Sequence, residues 1–322
     1  MWILKADDKK AKAYKTLLYQ LTGLAFDANT QLKKSVRRRM KACAAYRYFT
    51  KDKVDEYMTA RPERLMVLHK EMVRDLGDAN GVLPADDLEY VNHVFNYDSY
   101  IKQNQEMSYA LAHLMDVNTC TYCNRQYTLT VDDVDEHGTV TEHLIRPEFD
   151  HWFSQVDFPD LALSYYNLIP ACHTCNSNLK NREEMELTKH IHPYIDKKTG
   201  FRFSYVPTSD GYAVDVVRDE GVDDAYYKRV EETLSLFKIP QIYGAHSGLE
   251  LKDLMELATA NHPDYINTLV NDVVAKLGVR EEDAYRILFG IEINEVYYLK
   301  RPMSKFKSDI IKKIKEDLGE KS

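Results

Sequence analysis

The chain has 322 residues, 44% of them hydrophobic and 29% charged. That is enough apolar material for a sizeable core, and the length alone suggests roughly two domains; a disordered chain and a disulfide-stapled mini-domain are both excluded. A net charge of −8 argues against a protein that coats nucleic acid over its whole surface, while leaving room for a local basic site.

In chain order, the first string is Met1-Trp2-Ile3-Leu4-Lys5-Ala6-Asp7-Asp8. It turns charged before a signal-peptide core can form, so the cytosol is expected. No run of about 18 apolar residues exists, so no membrane-spanning helix is expected either. Residues 9–60 read as helical, with Leu17, Leu18, Leu21 and Leu24 at helical spacing and no proline to interrupt them. This region is basic: residues 1–50 hold 12 Lys+Arg against 3 Asp+Glu. Arg61-Pro62 breaks the pattern before a second helical stretch over 63–76. Asp78-Ala79-Asn80-Gly81 marks a turn, and a short helix over 109–115 follows.

The texture changes at Cys120. Residues 126–131 and 139–145 alternate like strands about an acidic turn that ends at His137-Gly138. Residues 201–206 and 212–217 suggest a second hairpin around Ser209-Asp210-Gly211. Helical periodicity returns from Asp223, with breaks at Ile239-Pro240, 244–248, His262-Pro263 and Arg301-Pro302. Lys300, Arg301, Lys305, Lys307, Lys312, Lys313 and Lys315 form a second basic stretch. Both basic stretches could face a phosphate backbone. The alternative is two amphipathic helices with solvated lysine faces, and on charge alone that is the better reading. The expected division is a helical N-terminal region over 1–118, a mixed centre over 119–222 and a helical C-terminal region over 223–322.

Five cysteines are present, and four of them form two CxxC pairs, Cys120-Thr121-Tyr122-Cys123 and Cys172-His173-Thr174-Cys175, with 48 residues between. Tetrahedral zinc needs four soft donors, and a CxxC knuckle lets two thiolates converge on one ion. The long intervening loop is a small obstacle, adding only ~0.9 kcal/mol of closure entropy over an 18-residue one. Structural zinc contributes on the order of 10 kcal/mol or more. A redox pair or four unliganded core cysteines are the weaker readings. Cys43 is expected to be a small core residue.

Between the knuckles lie Arg146-Pro147-Glu148-Phe149-Asp150-His151-Trp152-Phe153 and Tyr165-Tyr166-Asn167-Leu168-Ile169-Pro170-Ala171. Asp150 and His151 are adjacent, so a strand end aims them in different directions: one can hold a metal while the other handles a proton. A hard cation such as Mg²⁺ needs few protein oxygens, and a neutral imidazole accepts a proton from water at pH 7. Together these suit phosphodiester hydrolysis.

Residues 120–181 resemble the HNH endonucleases, whose ββα-metal site is often supported by a CxxC…CxxC zinc. The resemblance implies an α+β fold with helical flanks around a zinc-braced nuclease module carrying short hairpins. It implies Asp150 as metal ligand, His151 as general base, Asn167 as the central asparagine bracing the loop, and Asn176 as the second Mg²⁺ or Mn²⁺ ligand. The last position departs from the literal H-N-H and reads H-N-N. Lys180, four residues after Asn176, could meet a phosphate, and Arg125, Arg146 and Arg182 are expected to touch nucleic acid, DNA first. The strings Cys-Tyr-Cys-Asn-Arg, Phe-Asp-His-Trp-Phe and Asn-Leu-Ile-Pro-Ala-Cys are also similar to HNH subunits encoded beside ATPases in Septu-type anti-phage systems. That implies an ATPase regulatory subunit as partner and a role in bacterial antiviral defence.

The rival reading is a zinc-braced nucleic-acid or protein adaptor whose Asp-His is incidental. A hydrolase acting through the cysteine site is poor, because four thiolates leave zinc no open position. Several other residues carry lesser expectations. His173 is a surface or phosphate-contacting residue, and His190-Ile191-His192 is more often structural than catalytic. Glu148 either supports Asp150 or pairs with Arg146, and His143 is half-buried. The acidic run Asp132-Asp133-Val134-Asp135-Glu136 is a solvated turn or a contact for a basic partner.

Overall fold

The computed structural model describes residues 2–26, 39–181, 183–259 and 265–319. Lys33, Lys34, Arg37, Arg38, Arg182 and the break at His262-Pro263 lie outside the described residues. The helix expected over 9–60 is several pieces. Helix α1 (Asp8–Thr22) starts on Asp7, whose carboxylate accepts from the Lys9 and Lys10 amides, and it ends at Gly23 in the left-handed region, with φ 68°. Glycine is the residue that stops a helix there at no steric cost. Thr50 caps a new start by accepting from the Lys53 amide, so α2 (Ala44–Tyr48) and α3 (Lys51–Thr59) are separate. Pro62 opens α4 (Pro62–Leu76), where its missing N–H is not needed. The turn after it is tied by Asp78, which accepts from the Asn80 and Val82 amides at 2.8 and 3.0 Å. Helices α5 (Ala85–Val94) and α6 (Gln105–Met115) complete the N-terminal region.

Among the described residues, the centre holds three two-stranded antiparallel sheets. The first strand β1 (Val131–Val134) pairs with β2 (Val140–Ile145), so the strand expected at 126–131 lies further along. The residues before it are taken up in shaping the cysteine turn: the Cys120 amide donates to Gln126 and the Thr128 amide to Asn118. Asp132 and Asp133 of the acidic run are therefore strand, not turn. Asp132 is held by His113 and His143 at 2.5 and 2.6 Å, and Asp135 closes the turn by accepting from His137 and Thr139, both at 2.9 Å. Strands β3 (Glu148–His151) and β4 (Leu168–Ala171) form the second pair, with Asp150 opposite Ile169 and His151 opposite Leu168. Strands β5 (Phe201–Thr208) and β6 (Gly211–Arg218) form the third, where the alternation placed it.

Helices α7 (Asp224–Leu236), α8 (Ile239–Gly244), α9 (Lys252–Thr259), α10 (Tyr265–Leu277), α11 (Glu281–Phe289) and α12 (Ser304–Asp317) follow. The last buries Phe306, Ile310, Ile311 and Ile314 and packs on β5, with the rings of Phe203 and Phe306 5.2 Å apart. The Trp2 amide donates to Thr121 and the Met303 amide to Asn124, so both flanks are tied to the first cysteine pair. One apolar cluster runs from Trp2 to Ile314, and the three regions share it. The fold is α+β. Among the described residues, no helix is long and apolar enough to cross a membrane.

The second basic stretch is largely neutralised within the chain. Lys300 pairs with Asp116, Arg301 with Glu292, Lys305 with Asp309 and Lys313 with Asp317, while Lys315 donates to Asn267 and Tyr285. Four of the seven charges are thus answered by carboxylates, which reduces what the stretch can offer a phosphate backbone.

The Lys305–Asp309 pair is buried, at 2.9 Å, and Asp309 also accepts from the Phe203 amide. Replacing Asp309→Leu strands a buried ammonium and a buried N–H, so urea unfolding is expected to show a loss of about 3–5 kcal/mol. The double change Asp309→Leu with Lys305→Met is expected to restore most of it.

Candidate functional site

The sulfurs of Cys120, Cys123, Cys172 and Cys175 lie within 4.8 Å of one another and are all buried, and none forms a disulfide. Four converging thiols shielded from water fit a structural metal such as zinc. Local backbone shapes each half. Asn124 takes φ 51° and returns its amide to Cys120 at 2.8 Å, and the Asn176 amide returns to Cys172 at 3.0 Å. The Arg125 amide donates to the Cys123 sulfur at 3.4 Å. Cys123 precedes β1 and Cys172 follows β4, so the cluster closes a loop that carries the whole β3–β4 pair. Cys43 is half-buried and packs on the core.

Strand β3 presents Asp150 and His151, both buried. The His151 Nε2 atom is 2.9 Å from the Ala162 carbonyl. A carbonyl only accepts, so Nε2 carries the proton and Nδ1 keeps its lone pair; Nδ1 has no hydrogen-bond partner among the described residues. The Tyr97 ring stands edge-on to the imidazole at 4.4 Å. Burial pushes the His151 pKa down to about 4, against the opposing pull of the Ala162 carbonyl and Asp150. His151 is therefore neutral at pH 7.

Asn167, fully buried, ties the loop between β3 and β4. Its Oδ1 accepts from the Phe153 amide at 2.7 Å, and its Nδ2 donates to the Phe153 and Leu161 carbonyls at 3.1 and 3.0 Å. This cross-tie holds residues 153–161 so that the Ala162 carbonyl reaches His151.

After β4 the chain makes one wide helical turn, Thr174–Lys180, and here the arrangement departs from expectation. Lys180 is not presented to a phosphate. It is 4% exposed, and its ammonium donates to both Asp150 oxygens at 2.8 Å and to the His151 carbonyl at 2.5 Å. Asp150 also accepts from the Tyr122 hydroxyl. Asn176 donates to Glu148 at 2.8 Å, and Glu148 is paired with His173 and Ser177 rather than Arg146. Asp150 and Asn176 are thus each given to another partner, and as arranged they do not fit a shared Mg²⁺ or Mn²⁺ ion. Admitting one there would require Lys180 to give up its buried ion pair with Asp150.

Of the arginines expected to touch nucleic acid, Arg146 folds back to donate to the Pro147 carbonyl at 2.8 Å and lies over the Phe149 ring. Arg125 is half-buried, with its Nε sequestered from solvent, and Arg182 lies outside the described residues. His192 is fully buried against Trp152 at 4.5 Å, and burial pushes its pKa down to about 3; it is a core residue. Residue types and spacing missed the contributions of Tyr122, Tyr97 and the Ala162 carbonyl. Only Tyr122 had a usable signal, its place inside a CxxC pair.

No family model, no curated protein and no solved structure matches this chain.

One zinc per chain is expected by elemental analysis of the purified protein. Cys120→Ser is expected to lower that content severalfold and to cost the folded centre, read as loss of near-UV circular dichroism; full retention of structure without metal would exclude a structural metal there.

Proposed function

We propose that this chain is an HNH-type endonuclease in which neutral His151 takes a proton from the water that attacks a nucleic-acid phosphodiester, DNA being the first substrate to try. The observation that carries the reading is the state of His151. It is a neutral imidazole with one nitrogen anchored to a backbone carbonyl and the other unpaired among the described residues, and it stands at the end of a strand pair closed by four cysteines. A conjugate acid near 4 makes a weaker base than free imidazole. The negative charge of a bound phosphate raises that value toward the useful range. The motif likeness, and it alone, supports dependence on Mg²⁺ or Mn²⁺, an ATPase regulatory partner and a role in anti-phage defence. As arranged, Asp150 and Asn176 are each held by another side chain and do not fit such an ion.

A second reading, a non-catalytic zinc-braced adaptor, is favoured by the pairing of Asp150 with Lys180. The two readings differ in what His151 does.

The test is cleavage of plasmid, single-stranded DNA and RNA with Mg²⁺ or Mn²⁺ by wild type and by a folded His151→Ala variant. The endonuclease reading expects cutting that falls at least about 100-fold in the variant. The His151 pKa is depressed, so the base form persists as pH falls until about 4. Cutting at subsaturating substrate, which reports the free enzyme, is therefore expected to hold nearly steady from pH 8 to pH 5.5. A base at the ordinary value of 6.5 would lose about tenfold over that range. Nucleic-acid binding that is unchanged in the variant, without cutting by either protein, supports the adaptor.

A further inference from the structure

We infer that Asp150 is a positioning residue and not a metal ligand: with Lys180 and Tyr122 it forms a self-contained anchor that fixes His151 and hangs it on the cysteine cluster. The stoichiometry of the contacts carries the argument. An ammonium has three N–H donors, and Lys180 directs them to three acceptors, Asp150 Oδ1, Asp150 Oδ2 and the carbonyl of His151 itself. One positive charge meets one negative charge, both shielded from water. The Tyr122 hydroxyl completes the carboxylate.

The anchor reaches the two sides that matter. Tyr122 sits between Cys120 and Cys123, and its ring stacks on Phe237 at 4.1 Å, so its hydroxyl position is set by the first cysteine pair. Lys180 ends the turn that contains Cys175, so its ammonium is set by the second. Both halves of the cluster thus converge on Asp150, and Lys180 passes the constraint to the His151 backbone directly. Loss of the metal would free Tyr122 and Lys180 together, and with them the strand end that aims the imidazole. The inference concerns the same site as the endonuclease reading but does not need cleavage to be tested.

The experiment uses the full, metal-loaded chain and its Asp150→Asn, Lys180→Met, Tyr122→Phe and Asp150→Asn/Lys180→Met variants. Three readouts are taken: unfolding midpoint, binding of Mn²⁺ alone by electron paramagnetic resonance, and the NMR signal of the His151 ring. The anchor predicts that Asp150→Asn and Lys180→Met each lower the midpoint and that the double variant recovers most of the loss, because it removes both charges together. It predicts Mn²⁺ binding within twofold of wild type in Asp150→Asn. It predicts a displaced His151 ring signal in Tyr122→Phe with the metal content unchanged, which a purely local packing role for Tyr122 would not produce. A tenfold or greater loss of Mn²⁺ affinity in Asp150→Asn overturns the inference, as do additive losses in the double variant or an unmoved His151 signal in Tyr122→Phe. Failure of the endonuclease reading would instead appear as absent cleavage with all three readouts as predicted here.

Discussion

The centre of this protein depends on closing one loop. Cys120 and Cys123 meet Cys172 and Cys175 across 48 residues, and Asp150, His151, Asn167, Asn176 and Lys180 lie inside or on the edge of that closure. Two short strands of four residues each would be marginal as an isolated pair in water. Held at both ends by four sulfurs, and packed into a core shared with the helical flanks, they become a platform. A metal that binds only the folded arrangement adds its binding free energy to folding. The flanks use the same anchor, since Trp2 and Met303 both donate backbone hydrogen bonds into the first cysteine turn.

On that platform, polar groups are arranged in two separate sets. The buried set is Asp150, Lys180 and Tyr122, charge-neutral and closed. The solvent-facing set is Glu148 with His173, Asn176 and Ser177. Glu148 and Asp150 are two apart on one strand and so share a face, yet they belong to different networks, because the turn after β4 sends Lys180 inward and Asn176 outward. His151 is served by neither set through its side chain; its imidazole is oriented by the loop that Asn167 ties. Two parts of the chain therefore meet at His151: the cysteine turns fix its backbone through Lys180, and the loop tied by Asn167 orients its ring.

Charge follows the same logic. Residues 300–315 look like an electrostatic footprint when counted, and most of that charge is answered by Asp116, Glu292, Asp309 and Asp317. A net charge of −8 spread over such pairs leaves recognition of a polyanion to local geometry.

The sequence by itself determined the features that depend on local rules. CxxC spacing located the four sulfurs, alternation around Ser209-Asp210-Gly211 located the β5–β6 hairpin, Pro62 and Asp78 marked a helix start and a turn, and the adjacency of Asp150 and His151 placed a carboxylate and an imidazole at one strand end. It also suggested a helix over 9–60, because periodicity registers apolar faces and is insensitive to a left-handed glycine or a capping threonine that ends one segment and begins another. What only the tertiary structure decided is which partners the side chains find. Lys180 and Asp150 are thirty residues apart, and the same spacing that suggested an exposed lysine on a helix also permits a buried one. The choice between them is made by where the cysteine cluster places the turn. Arg301, Lys305 and Lys313 are likewise basic in the sequence and neutralised in the fold, since an ion pair depends on distances that the order of residues does not contain.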